Sequence, residues 1–175
     1  MYRKRSYYKR NYYSSRKKYS NETSSFSNTA NATGQNISVN VPLLVNSAHP
    51  MQGMRKVKNL KLSLNFSEIH SSATEEYTKN PIYWALVYVP QGTQPQALNV
   101  TDAAASFYEP NQNVIMQGIQ TSDNESKTYS TRLARNLNSG DSIYLCVASK
   151  YLHNIADSEI IETVVSALLN YAVTF

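Results

Sequence analysis

An all-β domain, either a two-sheet sandwich or a closed barrel, behind a basic N-terminal arm is the architecture that the sequence predicts. Three observations predict it. Beyond residue 36 the chain is a series of apolar, β-branched and aromatic runs separated by turn-forming residues, with few stretches of sustained helical periodicity. Its 175 residues suffice for one domain of roughly 150 residues, which buries about two-thirds of its unfolded surface without disulfides or metal. The net positive charge is confined to the first residues of the chain.

Residues 1–20 hold Arg3, Lys4, Arg5, Lys9, Arg10, Arg16, Lys17 and Lys18 and no acidic residue, a charge of +8. The remainder holds nine of the 17 Lys and Arg against all 12 Asp and Glu, a charge of −3. A strongly cationic tail on a mildly acidic body points to a polyanion as the tail's partner. Tyr2, Tyr7, Tyr8, Tyr12, Tyr13 and Tyr19 are interleaved with the cations, and no aliphatic residue follows Met1 in this arm. Such a segment cannot bury a core and is expected to stay disordered until it binds.

Lys and Arg would neutralise phosphates and release counterions, while each tyrosine ring offers a stacking platform of ~1–3 kcal/mol per unpaired base. The combination suits single strands without sequence specificity. Arg3-Lys4-Arg5 and Arg16-Lys17-Lys18 could also serve a nuclear import receptor before they serve a nucleic acid. Residues 21–35, small and polar, read as a flexible tether.

The predicted strands follow in order, and together they span 36–175. Ile37–Val41 alternates strictly, and Val57–Phe66 alternates for longer, with leucines on one face and Lys61, Ser63 and Asn65 on the other. Ile82–Val89 holds the single tryptophan, Trp84, and is apolar on both faces, as expected of a strand covered on each side or one that meets a neighbouring subunit. A short helix is expected over Val100–Phe107, capped by Thr101 and favoured by three alanines, before Glu109-Pro110 stops it. Strands resume over 113–120, 127–136 and 142–149, the last two joined by a turn at Leu137–Asp141. Residues 157–169 also fit a helical stripe, but Thr163-Val164-Val165 and the run to Phe175 favour a strand from about 162 to 175.

In sequence and in order, five segments resemble capsid proteins of the circular Rep-encoding single-stranded DNA viruses, the assemblage of circoviruses, nanoviruses and geminiviruses. They are Gly53–Leu62, YWALVYVPQG, SFYEPNQNVIMQG, RLARNLNSGDSIYLCVA and LLNYAVTF. The likeness spans nearly the whole chain; each motif is short and degenerate, so their order carries more weight than any one match. It implies a jelly roll of eight strands in two sheets, assembled as a small icosahedral shell (T=1, about sixty subunits) with the arm turned inward onto the genome. It also implies that Trp84 lies on the strand called E and Val114 on strand F. One early strand, B or C, is then missing from the segments above, and Val41–Val45 continues or replaces it. Circovirus arms are dominated by arginine, whereas this arm mixes lysine, arginine and tyrosine.

No constellation for catalysis stands out. His49, His70 and His153 fall in expected loops without a second ligand at metal-binding spacing. Glu75-Glu76 and the Asp123/Glu125 pair lie in Ser/Thr-rich loops and read as solvated charges. No phosphate loop, dinucleotide fingerprint or nucleophile elbow is present. Arg132 and Arg135 would face opposite ways on a strand, one towards a genome or a subunit contact, or both as plain surface charges. Cys146, in an apolar run, reads as a small core hydrophobe. Six Asn-x-Ser/Thr sequons occur, and without an export signal they reflect composition.

The expected function is therefore a non-enzymatic capsid subunit without a cofactor. It would self-assemble as a homo-oligomer, package a circular single-stranded DNA genome through the arm, and reside in the virion and the host cytoplasm and nucleus. No membrane insertion is expected, since no run approaches the ~20 apolar residues of a spanning helix. The alternative is a non-assembling single-stranded nucleic-acid-binding barrel with a basic tail. That class keeps its basic and aromatic residues on the domain face, whereas this body is net acidic.

Overall fold

Leu60, Leu62, Leu64 and Phe66 alternate with Lys61, Ser63 and Asn65, and a pleated strand sends the two sets to opposite faces. The computed structural model describes residues 19–31, 36–46, 53–70, 80–95, 99–100, 105–106, 113–150 and 161–174. In it the first set is fully buried and the second lies towards solvent. The described residues form β1 (Tyr19–Asn31), β2 (Asn36–Val45), β3 (Arg55–His70), β4 (Pro81–Val89), β5 (Asn99–Val100), β6 (Ala105–Ser106), β7 (Val114–Thr121), β8 (Lys127–Thr131), β9 (Arg135–Leu137), β10 (Ser142–Lys150) and β11 (Ile161–Thr174).

These strands make two antiparallel sheets. One runs β1-β11-β3-β8, with β9 also on β3; the other runs β2-β10-β4-β7. Let β8 and β9 count as one interrupted strand and the small β5–β6 pair be set aside. Lettered B to I along the chain, the sheets then read B-I-D-G and C-H-E-F, the order of a jelly roll. Trp84 lies on E and Val114 on F, as the resemblance implied.

The inner faces of the two sheets meet in one core. Leu60, Leu62, Leu64 and Phe66 of β3 and Val165, Ala167 and Leu169 of β11 pack against Ile82, Trp84 and Leu86 of β4 and Ile143, Leu145 and Val147 of β10. Each large aliphatic side chain so buried contributes about 1.5–3 kcal/mol. Trp84 stacks obliquely on Tyr129, with ring centroids 4.5 Å apart. Its cross-strand partner is Gly118, where a Cβ would come within 2.8 Å of the indole; a glycine is needed there for the ring to lie against β7. The other face of β4 is buried as well: Ala85, Val87 and Val89 form a second cluster with Cys146 and Ala148. This accounts for a strand apolar on both faces and places the lone thiol in an apolar environment.

Four expectations are corrected. The flexible tether at 21–35 is β1 over most of its length, paired with β11 from Tyr19↔Thr174 to Asn31↔Glu162; residues 32–35 lie outside the described residues. That strand is the missing B, and Val41–Val45 belongs to C as the second half of β2. The helix at 100–107 is replaced where it is described, since Asn99–Val100 pairs with Ala105–Ser106 in extended conformation. Three alanines supply only a weak local bias. The strand at 127–136 is broken between β8 and β9, at 132–134. The ambiguous C-terminal segment is a strand, and its 3.6-residue stripe yields to pairing along both edges, with β1 and with β3.

The alternation of β3 is interrupted once. Val57 and Leu60 are both buried though three apart, because Asn59 sits at φ 54° and adds a residue opposite β11: Lys61 pairs with Asn170, and Lys58 with Ala172. Asparagine tolerates this left-handed conformation, whereas a β-branched residue pushes its Cβ into the backbone at a cost of roughly 1–2 kcal/mol. Asn59→Val is expected to lower stability by about that amount in urea unfolding, and Asn59→Gly to leave the midpoint nearly unchanged.

Candidate nucleic-acid interface

Of the residues expected to bind nucleic acid, Arg3, Lys4, Arg5, Tyr7, Tyr8, Lys9, Arg10, Tyr12, Tyr13, Arg16, Lys17 and Lys18 lie outside the described residues. Tyr19 is described, and it is the first residue of β1 and not the end of a free arm. All eight arm cations precede it in the sequence. The Lys58 ammonium stands over the Tyr19 ring, 3.5 Å from its centroid. A cation so placed is drawn to the ring's negative face by about 0.5–1 kcal/mol at an exposed site.

Register places the neighbours of this point. On the outer face of the β1-β11-β3-β8 sheet, Tyr19, Asn21, Thr23, Ser25 and Ser27 stand opposite Thr174, Ala172, Asn170, Leu168 and Ser166. Lys58, Lys61 and Ser63 stand opposite Ala172, Asn170 and Leu168 on the other side of β11. Lys56 shares the face and is paired with Asn136 of β9. Lys58 and Lys61 would point to opposite sides of a regular strand; the bulge at Asn59 brings both to the same side. Three lysines are thus gathered at the arm's root.

Hydroxyls and amides flank the lysines on this face, beside the exposed apolar Leu168. Thr23 donates to Asn170 Oδ1 at 2.6 Å, the Ser27 and Ser166 hydroxyls meet at 3.1 Å, and those of Ser63 and Thr128 at 2.9 Å. Among the described residues this face carries one carboxylate, Glu162, at the far end of β11 from Lys58. Near the root, Glu22 points inward to accept a hydrogen bond from Tyr171 at 3.0 Å, and burial together with that bond pushes the Tyr171 phenol up to about 12.

Carboxylates elsewhere tie turns together. Asp123 accepts from Lys127 Nζ at 3.0 Å and Thr121 Oγ1 at 2.9 Å, bonds that hold it down to about 2. Asp141, which is buried, accepts from the Tyr88 hydroxyl at 2.6 Å, the Asn138 amide at 2.8 Å and the Gln91 amide at 3.0 Å. Burial raises its pKa, but these bonds outweigh burial and leave it below the usual carboxylate range. Asn46 reaches the same turn, donating to the carbonyls of Leu137 and Asn138. The turn expected at Leu137–Asp141 is therefore the knot where three loops at one end of the sandwich meet.

Among the described residues no group of three or more His, Cys, Asp or Glu side chains is placed to hold a metal. His70 ends β3, and not a loop as expected; His49, His153, Glu75 and Glu76 lie outside the described residues. Arg132 is exposed in the break after β8, while Arg135 is half-buried on β9 opposite Val57. Lys56, Lys58 and Lys61 were absent from the sequence-based set of site residues. The signal that marks them is the broken alternation between Val57 and Leu60, which requires a bulge and so realigns the flanking lysines.

No protein-family model matches the chain, and no curated protein matches it in sequence. Among solved structures, the chain is similar to one described as "Structure of infectious bursal disease virus Gx strain", with a TM-score of 0.35 and 11% identity. The likeness covers 91% of this chain and 38% of the other, so the chain spans well under half of that protein's length.

Proposed function

We propose that the protein is a viral capsid subunit that closes a small icosahedral shell and packages circular single-stranded DNA through residues 1–18. The observation that carries this reading is the division of charge along the fold. Eight cations and no carboxylate precede β1, and a mildly acidic jelly roll follows it. Jelly rolls serve as capsid and lectin domains and as cupins, and a cationic, tyrosine-bearing arm distinguishes the first use, because it supplies phosphate neutralisation and base stacking together. About sixty copies in a closed symmetric shell would bring ~480 arm charges to the enclosed strand.

The body's role in this reading is shape and contact. Met54, Ile119 and Leu133 are large apolar side chains left more than two-fifths exposed, and they are available to subunit contacts. Negative-stain electron microscopy and sedimentation of the purified full-length protein, with and without single-stranded DNA, test the proposal. Closed particles of uniform size are the expected result, with more of them when DNA is present. Monomers at every salt and pH, DNA included, would sink the shell and leave a nucleic-acid-binding module.

A further inference from the structure

We propose that the outer face of the β1-β11-β3-β8 sheet is a second nucleic-acid contact surface, in which Lys56, Lys58 and Lys61 take the sugar-phosphate backbone as it leaves the arm. The inference rests on the reading that the arm binds nucleic acid, and it adds which of the two sheets is turned towards the strand.

Three observations converge on this face. First, the three lysines are brought to one side by a backbone device: were β3 regular through Asn59, with no bulge, Lys58 would point into the sandwich when Lys61 points out. Second, none of the three is ion-paired with a described carboxylate, in contrast to Lys127, which Asp123 holds at 3.0 Å. Glu22 near the root faces inward and bonds Tyr171, and Glu162 lies at the opposite end of the face. Among the described residues no carboxylate neutralises the positive charge there.

Third, the surface is continuous with the arm. Tyr19 is where the arm joins the sheet, and the Lys58 ammonium lies directly on its ring. A strand bound by the arm would therefore find Lys58 beside Tyr19, the residue that follows Lys18 in the sequence. Along β3, Lys56 and Lys61 are separated by about 16 Å of extended chain at ~3.3 Å per residue, long enough to follow a backbone past the arm's end. The flanking hydroxyls and amides of Thr23, Ser63, Asn170 and Ser166 are of the kinds that donate to phosphate and sugar oxygens. Lysine and small polar side chains make no base-specific pattern, so the surface would take the backbone of any sequence.

The test uses the full-length protein and a short homothymidine oligonucleotide. Lys56→Ser/Lys58→Ser/Lys61→Ser is compared with the triple substitution to arginine and with the unaltered protein, each titrated over a range of salt. Each lost phosphate contact on a single strand reduces the slope of log K against log salt by ~0.7, so the serine triple is expected to flatten the slope by about 2 and weaken binding on the order of tenfold near physiological salt. The arginine triple should retain the slope. A second measurement needs no variant. Lysine acylation of the unaltered protein, read by mass spectrometry, should show Lys56, Lys58 and Lys61 protected by the oligonucleotide and Lys127 unaffected.

An unchanged slope in the serine triple together with unprotected lysines overturns the inference. Should that occur while removal of residues 1–18 still abolishes binding, the arm's role stands and only the sheet face is lost. Protected sheet lysines with binding unaffected by removal of the arm would overturn the arm's role instead.

Discussion

Removal of residues 1–18 is expected to weaken binding to single-stranded DNA by about a thousandfold or more near physiological salt, while the domain melts where the intact protein does. The size of the effect follows from the eight cations removed, each releasing counterions when it meets a phosphate. The absence of a stability effect is expected because all of described β1, from Tyr19 opposite Thr174 to Asn31 opposite Glu162, is kept in the truncated protein. Fluorescence anisotropy against salt measures the first, and circular dichroism melting the second. Binding that survives the truncation would place the site on the body.

A cut thirteen residues further on is expected to behave quite differently. Ending the deletion at Asn31 removes all of β1, strips Phe26 from the core, and leaves the backbone of β11 unpaired along one side. A long bare edge next to apolar Leu168 and Val164 is a template for pairing with other copies. That protein should be recovered as aggregate, whereas the shorter truncation stays soluble. Equal behaviour of the two would mean that β1 contributes little to the sandwich.

Replacing Asp141 with alanine is the second change expected to have a large effect. It removes the acceptor shared by the Tyr88 hydroxyl and the amides of Gln91 and Asn138, in a position only 3% exposed. Leaving a buried donor unpaired costs about 1–3 kcal/mol, and donors to a charged group cost more. Three donors are orphaned together, though some admit water once the knot loosens, so the expected loss is about 3–4 kcal/mol. In a domain of this size that lowers Tm by roughly 10 °C, measured by calorimetry or circular dichroism. Asp141→Asn keeps one acceptor oxygen and should fall between.

The pH dependence has a definite sign. Hydrogen bonds hold the Asp141 carboxyl below its ordinary value in the folded protein, so the folded state binds the proton less readily than the unfolded chain. The stabilisation is fully present above the ordinary carboxylate range and is lost as pH falls through the depressed folded value. The intact protein should therefore lose stability towards strong acid more steeply than Asp141→Asn. Parallel acid limbs for the two proteins would show that the carboxylate carries no such linkage. Tyr88, raised to about 12 chiefly by burial and then by Asp141, keeps its proton throughout this range.

Much of the fold was legible because its signals are local. Period-two alternation in Leu60–Phe66 marks a half-buried strand, and apolar character on both sides of Ile82–Val89 marks one covered on both. The charge of the arm is a count, and its tyrosines are visible without coordinates. What was not legible shares one physical cause. The segment SNETSSFSNTAN carries one large apolar residue, Phe26, and looks like a tether; it is a strand because the edge of β11 offers it a row of unpaired amides and carbonyls. No local propensity reports an edge formed by residues 130 or more positions away.

The same division holds for the site. By itself the sequence determined the chemistry, a cationic and aromatic arm on a β-rich, mildly acidic body, because charge and apolar periodicity are properties of residues and their nearest neighbours. Only the tertiary structure decided that Tyr19–Asn31 is a strand, which sheet it joins, and that Lys56, Lys58 and Lys61 share one face with Tyr19. Those are matters of register, and register is set by which strand pairs with which and by a single left-handed residue, Asn59, that shifts the lysines on either side of it onto one face.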